Sequence, residues 1–198
     1  LLGVSLTGIY DNIAMCEDRG GLNDTLSRLR EVARTANKEF AGRLGIAESA
    51  AITCVKPSGT VSQLVSCSSG IHPAYSEYYI HTVRADVKDP LAQFMKDMGF
   101  PCEPDVTKPH NTLVFSFPQK AAKGAVMREE TNAIEQLELY KMYQLHWCEH
   151  KPSITVSVRE DEWMAVGAWV WEHFDEVSGI SLLLPELFPR FCAIGTRI

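Results

Sequence analysis

The sequence has no apolar run approaching the roughly 18 residues that a membrane-spanning helix needs, and no secretory leader is visible. It has no C-x-x-C pair and no Cys/His spacing typical of a metal site. Its six cysteines (Cys16, Cys54, Cys67, Cys102, Cys148 and Cys192) are scattered, the pattern of small buried side chains rather than of a disulfide framework. Positive charge is not in excess: 25 acidic residues against 19 basic ones give a net charge of −6. That argues against a general nucleic-acid-binding surface but leaves room for a local positive pocket. No internal repeat or low-complexity tract stands out. With 45% hydrophobic residues in 198 and a mean hydropathy near zero, a soluble globular fold with a real core is expected. The chain begins at Leu1 inside an apolar stretch rather than with Met, so it reads as a piece of a longer polypeptide.

What is present is organised around Ala51-Ile-Thr-Cys-Val-Lys-Pro-Ser-Gly-Thr-Val-Ser62. Ala51 to Val55 is short, mostly apolar and contains β-branched residues, as a covered parallel strand is. Lys56-Pro57-Ser58-Gly59 breaks it. Pro57 fixes φ and lacks an N–H, while Gly59 lets a ligand approach the backbone. Thr60 and Ser62 then fall at the first turn of a helix through Leu64 and Val65. Free N–H groups and the positive dipole end at such a start suit a phosphate. The other reading is an ordinary strand-to-helix turn with a hydroxyl cap. It is not a Walker loop, since the glycine-lysine-hydroxyl order is missing.

The flanks alternate strand and helix. Leu22 to Leu44 carries Leu22, Leu26, Leu29, Ala33, Ala36, Phe40 and Leu44 at three- and four-residue steps, which predicts an amphipathic helix ended by Gly45. Tyr78 to Val83 and Thr112 to Phe117 read as strands, the latter with Leu113, Phe115 and Phe117 on one face. Asp89-Pro90 opens a helix whose buried stripe is expected to be Leu91, Phe94, Met95 and Met98, with Gly99 as the stop. Gln119 to Thr131 reads as a surface loop. Asn132 and Glu135 form a capping pair for a helix to about Glu149. Ile154, Val156 and Val158 alternate as a half-buried strand, and Asp161 starts a helix through Phe174. This order predicts an α/β architecture with parallel strands.

Several words stand in one order: Gly3-Val-Ser-Leu-Thr-Gly-Ile-Tyr-Asp11, Lys56-Pro-Ser-Gly-Thr-Val-Ser62, Ser69-Gly-Ile-His-Pro-Ala-Tyr-Ser-Glu-Tyr-Tyr-Ile80, Lys108-Pro-His-Asn-Thr-Leu-Val-Phe-Ser-Phe-Pro118 and Val177-Ser-Gly-Ile-Ser181. Together they closely resemble the ribonucleotide reductases, best the adenosylcobalamin-dependent (class II) branch and its ribonucleoside-triphosphate reductases, over about residues 1–181. The resemblance implies an α/β fold that is part of a ten-stranded α/β barrel, residues 1–181 being its C-terminal portion. It implies conversion of ribonucleotides to 2′-deoxyribonucleotides by a thiyl radical, with adenosylcobalamin as radical source, a thioredoxin-like reductant, and a cytoplasmic setting with no nucleic-acid or membrane partner. In that family the catalytic cysteine and glutamate lie in an Asn-x-Cys-x-Glu word. This sequence has no such word and lacks the C-terminal redox cysteines, so no catalytic residue is assigned to it.

By the same resemblance, Pro57, Ser58, Gly59, Thr60 and Val61 match the substrate-phosphate turn, and Ser62 is the next hydroxyl. Their expected role is N–H and hydroxyl donation to nucleotide phosphates. Lys56 adds charge there or points to solvent. His72, before Pro73, is either near the site or a hydrogen-bonded loop histidine. His110 and His146 read as structural, Tyr75, Tyr78 and Tyr79 as packing or base-stacking residues, and Trp163, Trp169 and Trp171 as packing anchors. Two features depart from the family: His81 stands where arginine is expected, and 182–198 does not resemble it. A shifted frame or a fragment edge would produce such a tail, which is expected to be atypical or unstructured. The alternative functional reading is a non-catalytic nucleotide-binding α/β fragment. A glycyl-radical enzyme is disfavoured because that family's glycine-loop signature is absent.

Overall fold

The computed structural model describes residues 3–17, 20–59 and 61–184. Strand β1 (Val4–Ser5) leads through a 3-10 turn (Ile9–Asp11) into a short helix, α1 (Ile13–Cys16). The predicted long helix spans Leu22–Leu44 as α2, and Gly45 ends it with φ 67°, the left-handed geometry glycine adopts without a Cβ penalty. Strand β2 (Thr53–Cys54) lies parallel to β1, Val4 opposite Thr53 and Ser5 opposite Cys54. Residues 52–55 are all buried, as a covered parallel strand should be. A one-turn helix, α3 (Val61–Leu64), follows.

The next unit departs from the all-parallel expectation. β3 (Tyr78–Asp86), β4 (Cys102–Pro104) and β5 (Thr112–Lys120) form an antiparallel sheet in the order β3-β5-β4. Helix α4 (Pro90–Asp97) starts where Asp89 accepts the Leu91 N–H at 2.8 Å. Of its predicted stripe, Met95 packs against the sheet's core cluster but Leu91, Phe94 and Met98 do not. Leu91 and Phe94 are 64% and 59% exposed, whereas Ala92 packs with Leu113 and Phe115. The small Ala92 side chain lets the helix approach the sheet, Met95 packs against the same cluster, and Leu91, Phe94 and Met98 turn outward.

Helix α5 (Ala133–His146) begins with the predicted reciprocal cap between Asn132 and Glu135. Strand β6 (Thr155–Ser157), helix α6 (Trp163–Glu172) and strand β7 (Ser181–Leu183) complete the chain, β7 running parallel to β6. Leu182 and Leu183, assigned from sequence to an atypical tail, therefore pair with Val156 and Ser157. Residues 185–198 of that tail lie outside the described residues. The main core joins Val55, Ile71, Leu137, Tyr140, Tyr143, Val156 and Trp169. Trp169 is the anchor expected of α6, donating to Glu138 Oε1 at 2.6 Å. Trp171, predicted to pack, is 84% exposed.

Sequence-distant groups tie β2 to the chain after α5. Glu149 Oε2 accepts the N–H groups of Ile52 and Thr53 at 2.8 and 3.2 Å, and Trp147 Nε1 donates to Cys54 O at 2.8 Å. Thr53 O and Val55 O accept from Glu149 N and Ser153 N. The strand that carries the turn is thus fixed along both edges.

Candidate functional site

The turn follows β2 at its carboxyl end, where α/β sheets place their ligand loops. β1 ends beside it, and Lys56 N–H donates to Ser5 Oγ at 3.0 Å. Two residues on, Thr7 Oγ1 donates to Ser68 O at 3.1 Å and lies 2.5 Å from Ser58 Oγ. Since the Thr7 proton goes to a carbonyl, the Ser58 hydroxyl supplies the proton shared between them. The Gly70 N–H then donates to both oxygens, at 2.9 Å to Thr7 and 3.0 Å to Ser58. The Ser58 N–H donates to Ser69 Oγ at 3.2 Å.

This frame revises the expected hydroxyl donors. Ser58 spends its proton inside the protein. Ser62 is fully buried and gives both its N–H, at 2.9 Å, and its hydroxyl to Ser58 O. Both hydroxyls shape the turn instead of facing a ligand. The N–H groups of Gly59 and Val61 have no acceptor among the described residues. Pro57 and Lys56 are exposed, and the Lys56 ammonium makes no ion pair among the described residues. Thr60 lies outside the described residues. Because α3 is one turn long, the dipole argument made from sequence loses weight, and individual N–H groups carry what anion affinity the turn has.

Gly59 opens onto a cleft of about 780 Å³ between the Ser66–Tyr75 loop and the three-stranded sheet. Thr82, Arg84, Glu103 and Val114 contribute the sheet side. Arg84 Nε pairs with Asp105 Oδ2 at 2.7 Å, and Asp105, 5% exposed, also accepts from Thr107 Oγ1, Thr107 N and Lys108 N. The Thr107 hydroxyl first, then the Arg84 guanidinium, holds the Asp105 carboxyl far below the usual carboxylate range. His81, where an arginine was expected, is 9% exposed across from Phe117, and burial lowers its pKa. The local positive charge is reduced accordingly.

His72 also lines the cleft, but both ring nitrogens are committed. Nδ1 lies 2.8 Å from Ser69 O, and Nε2 accepts the Thr155 N–H at 3.0 Å. Burial lowers its pKa despite the opposing Ser69 carbonyl, so the ring is neutral. Of the two readings left open, the hydrogen-bonded loop histidine describes its contacts. Tyr75 and Tyr78 are exposed, not core, with Arg128 and Lys120 over their rings at 4.5 and 5.0 Å. His146 bonds Ser27 through Nδ1 at 3.1 Å.

Burial pushes the Cys67 thiol up, and that of Cys148 up to about 12, so neither is an activated nucleophile. No group of three His, Cys, Asp or Glu able to hold a metal ion occurs among the described residues. Sequence reasoning missed Thr7, Ser69 and Gly70 as the frame of the turn. The signal was available only as their places in the Gly3–Asp11 and Ser69–Ile80 words.

The fold and site define an α/β protein with two parallel strand pairs, an antiparallel sheet, and a cleft between that sheet and the loop that follows β2 and α3. No protein-family profile matches the chain. The adenosylcobalamin-dependent ribonucleoside-triphosphate reductase of Lactobacillus gasseri is 31% identical over 163 residues, covering 80% of this chain and 22% of the relative. That of Levilactobacillus brevis is 32% identical over 152 residues, covering 75% and 20%. A crystal structure of a B12-dependent (class II) ribonucleotide reductase superposes with a TM-score of 0.71 at 25% identity, covering 92% of this chain and 29% of that one. The chain is a homologue of the adenosylcobalamin-dependent (class II) ribonucleotide reductases, α/β barrel enzymes, and matches one segment of them. It spans about a fifth of the length of the curated relatives it matches.

Proposed function

We propose that this segment supplies the substrate-phosphate turn of a ribonucleotide reductase that converts ribonucleotides to 2′-deoxyribonucleotides by thiyl-radical chemistry. The observation that carries the reading is the pair of N–H groups, Gly59 and Val61, without an acceptor among the described residues, on a turn whose Ser58 and Ser62 hydroxyls are turned inward. A phosphate oxygen accepts such amides well, and a rigid frame lowers the cost of ordering them. Pro57 sets the entry to the turn, Ser58 and Ser62 hold its shape, and the exposed Lys56 adds charge at its rim. Thr60 belongs to the site by sequence resemblance alone.

Adenosylcobalamin, in whose name the relatives are classed, would supply the radical chemistry. No residue of this chain is assigned to hold it: His72 has both nitrogens occupied, and no described cluster ligates a metal. A thioredoxin-like reductant and a cytoplasmic location complete the proposal. No described helix is long and apolar enough to cross a membrane.

The test is ribonucleoside-triphosphate reduction by the full-length polypeptide with adenosylcobalamin. Replacing Pro57–Ser62 by a Gly/Ser linker, which removes the frame that aims the N–H groups, should raise KM at least tenfold, the loss of about one charge-assisted hydrogen bond. Unchanged KM after replacement of the turn refutes the reading. The second reading, a nucleotide-binding segment without turnover, rests on the missing Asn-x-Cys-x-Glu word. It predicts triphosphate binding by the 198-residue chain with no product.

A further inference from the structure

The loop 68–73 has no regular secondary structure, yet it holds the turn from behind. Ser69 Oγ takes the Ser58 N–H, and Gly70 N–H binds the Ser58 and Thr7 hydroxyls. A frame of this kind positions a ligand only as well as it is itself positioned. One side is tied to β1 and the 3-10 turn after it: Ser68 N–H donates to Asp11 Oδ2 at 2.6 Å, Gly8 N–H to Ser68 O at 2.9 Å and Ile9 N–H to Gly70 O at 3.3 Å. The other side is tied by His72. Its backbone N–H, at 3.0 Å, and its Nδ1, at 2.8 Å, both meet Ser69 O, while Nε2 accepts from Thr155 N, 83 residues further along the chain.

Those contacts fix the ring's chemistry. A backbone N–H can only donate, so Nε2 is the acceptor and Nδ1 carries the proton given to Ser69 O. Pro73 restricts the His72 backbone and keeps it out of a helix. The imidazole therefore bridges the loop behind the turn to the first residue of β6, the strand that pairs with β7.

We propose that His72 is a positioning residue for the phosphate turn: by joining Ser69 to Thr155 it sets the placement of the Ser69–Gly70 frame, and through it the direction of the Gly59 and Val61 N–H groups. This rests on the reading of the turn as the substrate-phosphate site. His72 touches no substrate in this scheme and takes no part in proton transfer.

The experiment compares His72→Ala, His72→Asn, Ser58→Ala and the double variant H72A/S58A in the full-length enzyme. It measures KM and kcat for a ribonucleoside triphosphate, and its Kd by equilibrium dialysis without reductant. His72→Ala is expected to raise KM and Kd about tenfold with kcat within about twofold, one hydrogen bond's worth of lost ground-state binding. His72→Asn, whose amide reaches Ser69 O, should recover part of the loss. The double variant should lose less than the product of the two single losses, because both act on one frame. If His72→Ala is unfolded by circular dichroism, His72→Asn and His72→Gln decide, one keeping the Ser69 bond and the other reaching Thr155. Unchanged KM and Kd in the His72 variants beside a raised KM in Ser58→Ala overturns the role of His72 and leaves the turn standing. Unchanged values in all variants overturn the turn itself, and the role of His72 with it.

Discussion

Ser58 Oγ and Thr7 Oγ1 lie 2.5 Å apart across 51 residues of chain. That contact joins the turn to the end of β1 and places both oxygens on the Gly70 N–H. Thr7→Val keeps the shape and removes the hydroxyl, leaving Ser68 O with the Gly8 N–H alone and Ser58 without its acceptor. A stability loss of about 1 to 2 kcal/mol in urea denaturation is expected. Nucleotide KM should rise as well, although Thr7 is not placed against the ligand.

Gly70 adopts φ +54°, and a Cβ there would sit 2.9 Å from Lys56 O. The left-handed backbone alone costs a non-glycine residue about 1 to 2 kcal/mol, and the obstructing atom is backbone that cannot swing aside. Gly70→Ala should therefore cost at least about 2 kcal/mol in a denaturation curve. Gly45→Ala has the same sign of φ and nothing within 4 Å, so it should cost less.

Glu149 pins the start of β2. Burial raises its carboxyl pKa, but the Ile52 and Thr53 N–H groups and Arg34 outweigh that, so the net shift is downward. A carboxylate with a folded pKa below its unfolded value contributes stability that is complete above the unfolded value, near 4.5. That contribution is lost as pH falls through the folded one. Glu149→Gln should lower stability at pH 7 by about 1 to 2 kcal/mol. It should also flatten the acid limb of stability against pH below about 4.5, as thermal melts across pH 3 to 7 would register.

The Asp105 carboxylate depends on Thr107 first and Arg84 second. Thr107→Val should thus lower the thermal midpoint more than Arg84→Ala does. The reverse order would mean that the ion pair, half exposed on its Arg84 side, dominates. Surface ion pairs rarely do.

Local features were legible in the sequence because their causes are local. The span of α2, its Gly45 stop, the Asp89 cap and the Asn132–Glu135 capping pair each depend on residues within a few positions of one another. The covered strand at Thr53–Cys54 was legible from its apolar run. The α4 stripe was misread at Leu91, Phe94 and Met98 because periodicity gives the spacing of an apolar face but not which face meets a sheet. Ala92 and the antiparallel neighbour of β5 decided that.

The sequence by itself determined the α/β pattern, the helix ends and the family resemblance that singled out Lys56 to Ser62. Tertiary structure decided where each hydroxyl proton goes. Thr7, Ser58, Ser69 and His72 meet only after strand pairing brings β1, β2 and the segment before β6 side by side. Hydrogen-bond direction is set by those neighbours, and no spacing along one chain encodes it.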